Sequence, residues 1–136
     1  MIGDLYEQRD YDIHQASSIA VQAPVAAIYN GLLQFDPLGD PNKIVADLAE
    51  KWEASADGKV HTFTLRKDVK WHDGKPLTSE DVKFSINRQA DPPKGTLSPR
   101  KAQFEGIDKV ETPDPLSVKI TLQYPRAAFV PFLASG

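Results

Sequence analysis

Three histidines are the first residues of this chain whose type could support chemistry. His14, His61 and His72 offer imidazole nitrogens as metal ligands, but their spacing fits no compact metal motif of the HExxH kind. His61 falls in a predicted strand and His72 at a predicted turn. We therefore expect ordinary surface or hydrogen-bonded histidines and no metal site.

The pair His72-Asp73 raises the alternative of a small hydrolase, either metal-dependent or using acid/base chemistry. Adjacent side chains rarely point at each other, and no Gly-x-Ser-x-Gly motif supplies a nucleophile. Asp73-Gly74 is also a common turn pair. The sequence therefore favours a structural turn and predicts no catalytic residue.

Aromatic side chains could stack on a ligand. Trp52 and Phe63 lie in a predicted hairpin, where aromatic residues more often belong to the core. Trp71 borders a turn, so the core and a ligand contact both remain open for it.

The segment from Lys94 to Phe104 is long, basic and ends in an aromatic residue. Long loops without regular structure are often functional, and Arg100 could hold a carboxylate through two hydrogen bonds. The alternative is that this segment is a solvated linker without a ligand, and composition alone favours that alternative.

Composition excludes several classes of protein. The 136 residues fit one domain, and 40% hydrophobic with 26% charged residues is ordinary globular usage. The net charge of -3 is spread along the chain without a basic stripe, so we expect no nucleic-acid partner. The absence of cysteine excludes disulfides, a thiolate zinc site and a cysteine nucleophile. No stretch approaches the roughly 20 apolar residues of a membrane helix, so we expect no direct membrane insertion.

Two hairpins are predicted from turn residues and alternation. The first joins 52–55 to 60–65 around Asp57-Gly58, a strong hairpin signal. The second joins 107–112 to 117–123 around a Pro-Asp-Pro turn. In its second strand Val118, Ile120 and Leu122 alternate with polar residues, which indicates one buried face.

The clearest helix begins after Thr78. Asp81 stands three residues later, where the acid of a capping box belongs, and Val82, Ile86 and Ala90 form one apolar stripe. The helix should end before Asp91-Pro92. Weaker patterns predict helices over 22–30 and 127–134, a strand over 32–35 and a loop over 36–42. The fold class is α+β, with antiparallel hairpins and two or three packed helices.

Three runs together resemble a known family. The run at 48–58, LAEKWEASADG, resembles the "LAesWevsdDG" of the family 5 extracellular solute-binding proteins. The run at 63–82, FTLRKDVKWHDGKPLTSEDV, resembles that family's signature, "F.LRkgVkfHDGtpltaeDV". The run at 28–32, IYNGL, matches its "iyeGL". The resemblance covers roughly residues 12–135.

This resemblance implies a substrate-binding protein of an ABC importer, not an enzyme. Family members are two-lobed receptors with a periplasmic-binding-protein type II-like fold, and they pass peptides, nickel complexes, haem, sugars or opines to a membrane permease. Residues 1–136 would form a single domain, an excised piece corresponding to the small subdomain beside the N-terminal lobe. We expect a periplasmic or extracytoplasmic location, with a lipid anchor in the full-length protein, and no cofactor.

The resemblance also implies ligand contacts. The stretch after the signature helix often reaches the ligand cleft in this family, which makes Ser98, Arg100 and Phe104 candidates, together with Trp71. Several members carry an aromatic residue just after the Ser-Pro pair, where this chain has Arg100, and this difference suggests an anionic group on the solute. The alternative is a structural or interaction domain that has no ligand of its own and docks on the permease or another partner.

Overall fold

The computed structural model describes residues 29–96 and 98–135. His14 and most of the helix predicted over 22–30 lie outside these ranges. The elements are, in chain order, β1 (Leu33–Phe35), β2 (Ile44–Ala46), β3 (Ala49–Ala54), β4 (Val60–Leu65), α1 (Ser79–Ala90), α2 (Lys101–Phe104), β5 (Ile107–Asp114), β6 (Ser117–Leu122) and α3 (Phe129–Ala134). The predicted α+β class is confirmed.

Both predicted hairpins form, and they join into one antiparallel sheet with the order β3-β4-β6-β5. The first hairpin turns at Gly58, whose φ of +69° is one that residues with a side chain rarely adopt. The second strands of the two hairpins pair in the centre, with Phe63 opposite Val118 and His61 opposite Ile120. A separate two-stranded sheet pairs β1 with β2.

Alternation along the two central strands separates a buried face from a polar face. Phe63, Leu65, Val118 and Ile120 are completely buried, whereas the residues between them are partly exposed. Phe129 of α3 belongs to the same apolar cluster, as do Val82 and Ile86 of α1. The core therefore lies between one face of the four-stranded sheet and the helices.

Helix α1 begins where its capping residues predict. The Asp81 carboxylate accepts hydrogen bonds from the backbone N–H and the hydroxyl of Thr78, both at 2.8 Å. The helix ends at Ala90, before Asp91. The stripe prediction holds for Val82 and Ile86, which are buried, while Ala90 is partly exposed and Gln89 is buried beside them.

The prediction of a loop from Lys94 to Phe104 is wrong in part. Lys101–Phe104 is the short helix α2, and turn hydrogen bonds join Thr96 to Pro93 (3.0 Å) and Lys101 to Ser98 (3.1 Å). Side-chain contacts with α1 and α3 organise this segment, and composition did not reveal them. In the described part of the chain, no helix is long and apolar enough to cross a membrane.

Candidate functional site

Trp71 lies beside the N-terminal end of α1. Its indole Nε1 donates to the Asp81 carboxylate at 3.4 Å, and 41% of the residue is exposed. The Trp71 N–H bonds to the carbonyl of Lys75 at 2.8 Å, which holds the intervening turn together. Trp71 is therefore tied to the helix start while one part of it remains available to solvent or to a partner.

Asp81 joins this turn to the helix. Burial alone would raise the pKa of Asp81, but the hydrogen bonds from Thr78 and Trp71 lower it below its ordinary value. Asp81 therefore acts as a charged acceptor for three donors. This arrangement is structural, since each of those donors belongs to the chain itself.

Ser98 and Phe104 make contacts within the fold. The Ser98 hydroxyl is 2.9 Å from both the backbone carbonyl and the side-chain oxygen of Gln89. The Phe104 ring meets Phe132 edge to face, with 5.3 Å between the ring centroids. Both residues therefore help to hold the 91–104 segment against its neighbouring helices.

Arg100 precedes α2 and is half-buried. Burial lowers the pKa of its guanidinium, because loss of water disfavours the charged form. A partly desolvated guanidinium is better suited to bind a carboxylate than a fully hydrated one.

The four predicted ligand residues do not gather in one place. Trp71 contacts Asp81, whereas Ser98 contacts Gln89. Asp81 and Gln89 are eight positions apart in α1, a distance of about 12 Å along the helix axis. Trp71 therefore lies near one end of α1 and Ser98 near the other, with Arg100 and Phe104 following Ser98 along the chain. The role of these residues in ligand binding remains a prediction.

His72 and Asp73 lie on an exposed turn. The Asp73 carboxylate accepts the Lys75 N–H at 3.0 Å and pairs with Lys75 Nζ at 3.0 Å, and these contacts lower the pKa of Asp73. Asp73 therefore has a role in the turn.

His61 differs from the prediction of a surface or hydrogen-bonded histidine. Only 4% of it is exposed, and neither ring nitrogen has a hydrogen-bond partner among the described residues. Its ring packs on Phe129 with 5.0 Å between centroids. The prediction fails because His61 shares the buried face of β4 with Phe63. Within 29–96 and 98–135, no three histidine or acidic side chains lie close enough to hold a metal ion.

A shallow groove of about 420 Å³ follows the outer strand β5, and no sequence pattern predicted it. Its charged residues include Lys109, which pairs with Glu111 at 2.8 Å, and Lys119, which is 3.8 Å from Glu111. The hydrogen bond between Lys109 and Glu111 raises the pKa of the lysine and lowers that of the acid. The groove is lined by Lys83, Lys109, Val110, Glu111, Thr112, Pro113 and Lys119. These charges pair largely with one another, as expected for a solvated sheet edge.

The sequence from residue 43 to residue 135 matches the model of the bacterial extracellular solute-binding proteins, family 5 Middle. The match includes both hairpins of the four-stranded sheet and all three described helices. The chain belongs to this family. The family predicted from the signature is therefore confirmed.

Relatives within family 5 differ in the ligands that their names record. The chain is 38% identical over 133 residues to the dipeptide-binding protein of Escherichia coli K12, covering 87% of this chain and 24% of that protein. It resembles the structure of NikZ from Campylobacter jejuni in complex with Ni(L-His), at 42% identity and a TM-score of 0.69, covering 78% of this chain and 20% of the other. It also resembles MoaA from A. tumefaciens R10 in complex with mannopinic acid, at 38% identity and a TM-score of 0.82. That match covers 90% of this chain and 25% of the other.

The chain spans about a quarter of the length of the curated family 5 relatives that it matches. The same segment is thus shared by a protein named for dipeptide binding and by structures in complex with Ni(L-His) and with mannopinic acid. A segment common to such different receptors is suited to a scaffold role, and this agrees with the structural contacts of Ser98, Phe104 and Asp81.

Proposed function

We propose that this chain is part of the substrate-binding component of an ABC importer, which captures a peptide or similar small solute outside the cytoplasmic membrane. The observation that carries the proposal is the family 5 match over residues 43–135, supported by relatives named for dipeptide and glutathione binding. The solute would be bound without covalent chemistry between two lobes that close around it, then passed to a membrane permease. The location would be periplasmic or extracytoplasmic, with a lipid anchor on the full-length protein.

Within such a receptor, the chain would form the small subdomain beside the N-terminal lobe and contribute part of one wall. Its core supports this assignment, because the four-stranded sheet and α1 bury their apolar faces against each other within the described residues. Of the four candidate ligand residues, Arg100 and Trp71 are the better suited to meet a solute. Trp71 is 41% exposed and Arg100 carries a partly desolvated charge, and these two features suit contact with a solute.

The alternative of an interaction domain without a ligand of its own is favoured by apolar side chains that reach solvent. Leu38 is 97% exposed at the tip between β1 and β2, and Phe84 is 65% exposed on the outer face of α1. In a receptor about four times longer, such side chains would meet other parts of the same protein or the permease. The hydrolase alternative is less well supported, because Lys75 engages the Asp73 carboxylate on two sides.

Calorimetry on the 136-residue chain and on a longer receptor containing it tests the proposal. Each protein is titrated with a dipeptide mixture, Ni(L-His) and mannopinic acid. The chain alone should bind each solute weakly or not at all, because it offers only part of a wall, and the longer receptor should bind one class tightly. Tight stoichiometric binding to the chain alone would contradict the wall assignment, and no binding by the longer receptor to any small solute would contradict the transport role.

The same titration in the longer receptor tests the ligand contacts with a matched pair of variants. Arg100→Ala should weaken binding of an anionic solute, since a desolvated charge pair is lost. Lys101→Ala, at the adjacent exposed position, removes an equal charge and should leave the affinity within about twofold. Equal effects of the two variants would show that net charge alone matters and would remove Arg100 from the site.

A further inference from the structure

His61 is a buried titratable group that the proposed solute capture does not use. It lies on the central strand β4 with its ring on the core face, 4% exposed and without a hydrogen-bond partner at either nitrogen among the described residues. Buried polar groups in native proteins are nearly always paired. A neutral ring tolerates this environment far better than an imidazolium, which has two donors and a charge to satisfy.

The ring is covered by α3. Phe129 lies against His61 with 5.0 Å between ring centroids and an interplanar angle of 48°. On the same face of the sheet, the exposed Ala54 of β3 and the buried Ile120 of β6 stand opposite His61 in register. Because His61 is fixed in the central strand and Phe129 lies on its ring, movement of α3 would expose the ring to water.

Apolar contacts hold α3 against the rest of the fold. Phe129 and Ala134 are buried, Val130 and Leu133 pack on the core, and Phe132 meets Phe104 edge to face. The helix has only six residues and none of them is ionisable. Short segments held by few apolar contacts open at lower free energy than the core of a sheet.

Charged groups on the elements next to His61 lie on the other face of the sheet or form hydrogen bonds with other residues. Glu53 and Lys119 occupy strand positions that alternate with the core-facing ones. Asp57 accepts hydrogen bonds from Ser55 and the Lys59 N–H in the hairpin turn, and Arg126 donates to the carbonyls of Gln103 and Glu105 at 2.9 and 3.0 Å. Burial lowers the pKa of His61, and the Gly58 backbone, three residues earlier in the chain, opposes this shift only in part.

We propose that His61 and Phe129 form an acid-sensitive latch, in which protonation of the buried ring releases α3 from the sheet. The neutral ring is compatible with the closed state, and the charged ring is compatible with the state in which α3 has moved and water reaches β4. This inference concerns the stability of one element and is independent of which solute the receptor binds.

The direction of the pH dependence follows from linkage. The opened state binds a proton at the ordinary histidine pKa of 6.5, whereas the closed state binds it only at lower pH. Closure is therefore fully favoured above 6.5 and weakens as the pH falls below it. The population with α3 open should rise by up to about tenfold for each pH unit below 6.5, until the closed state is protonated too.

Hydrogen exchange followed by mass spectrometry on the 136-residue chain tests the latch. Protection of the 129–134 amides, corrected for intrinsic exchange, should fall by up to about tenfold between pH 7.5 and pH 5.5, while β4 and β6 remain protected. His61→Phe keeps a ring of similar size and cannot be protonated, so its α3 protection should not change with pH. His72→Phe replaces an exposed histidine and should respond as the unsubstituted chain does.

Three results would overturn the proposal. The first is a pH response that persists in His61→Phe, and the second is simultaneous loss of protection across α3 and the sheet. An NMR titration of the unsubstituted chain gives the third and remains available if His61→Phe does not fold. A His61 ring that titrates at or above 6.5 while α3 stays protected would show that no latch exists.

Discussion

At the scale of single residues, Asp81 connects most local features of the helix start. It accepts hydrogen bonds from the Thr78 N–H, the Thr78 hydroxyl and the Trp71 indole. The first satisfies the backbone N–H of the N-cap residue, the second joins the two capping side chains, and the third holds the signature turn against the helix. The signature residues near this point are therefore explained by the fold, without a ligand.

Asp81→Ala should lower the free energy of unfolding by about 1 kcal/mol, the usual cost of a lost helix cap. The pKa of Asp81 is lowered in the folded state, so its contribution is present above the ordinary value of 3.8 and is lost as the pH falls through the folded-state value. Urea unfolding at pH 7 and at acidic pH measures both effects. Asn87→Ala, an exposed position of the same helix, is the control, and an equal loss in both variants would contradict the capping role.

At the scale of elements, the junction between α2 and β5 depends on Gly106. Its φ is +91°, and a Cβ built there would stand 2.9 Å from the Tyr124 hydroxyl and 3.0 Å from its Cζ. The Gly106 carbonyl also accepts the Gln123 N–H at 2.8 Å. Gly106 thus allows β5 to start directly beside the end of β6.

Gly106→Ala should destabilise the chain by more than Gly95→Ala. Gly95 has a similar φ of +86° but nothing within 4 Å of the added carbon. Gly95→Ala therefore measures only the cost of holding a residue with a side chain at positive φ, about 1–2 kcal/mol. The difference between the two variants, measured by urea unfolding, reports the displacement of Tyr124. In a Tyr124→Ala background that difference should disappear, and its persistence would rule out the tyrosine as the cause.

At the scale of the whole molecule, stability depends on one core shared by the two hairpins and the helices. Phe63 lies at its centre, completely buried on β4 and opposite Val118 of the second hairpin. A domain of this size has only about 5–15 kcal/mol of stability in total. A single large cavity therefore removes a substantial part of it.

Phe63→Ala should cost about 3–5 kcal/mol, enough to leave part of the chain unfolded at 25 °C. Phe84→Ala makes the same chemical change where the side chain is 65% exposed, and surface substitutions usually stay within about 0.5 kcal/mol. Thermal and urea unfolding compare the two. A large loss from Phe84→Ala would indicate that this side chain is covered in solution, as in an association between copies.

The turns, the capped helix and the family were determined by the sequence itself. Each hairpin is specified by a few adjacent residues around Asp57-Gly58 or Pro113, and the start of α1 by Thr78 and Asp81. These features are local, because turn geometry and caps involve residues within four positions of each other. The signature run could be read for the same reason, since it consists mostly of such local features.

Only the tertiary structure decided which surfaces meet. Either strand of each hairpin could have paired across the sheet, and the β4–β6 pairing was chosen because it brings Phe63 and Val118 to the same buried face. Burial also placed His61 in an apolar environment that its residue type did not predict. The contact of Ser98 with Gln89 holds against α1 a segment that composition described as a loop. Such contacts join residues far apart in the chain, and their stability depends on the whole core, which no short window of sequence contains.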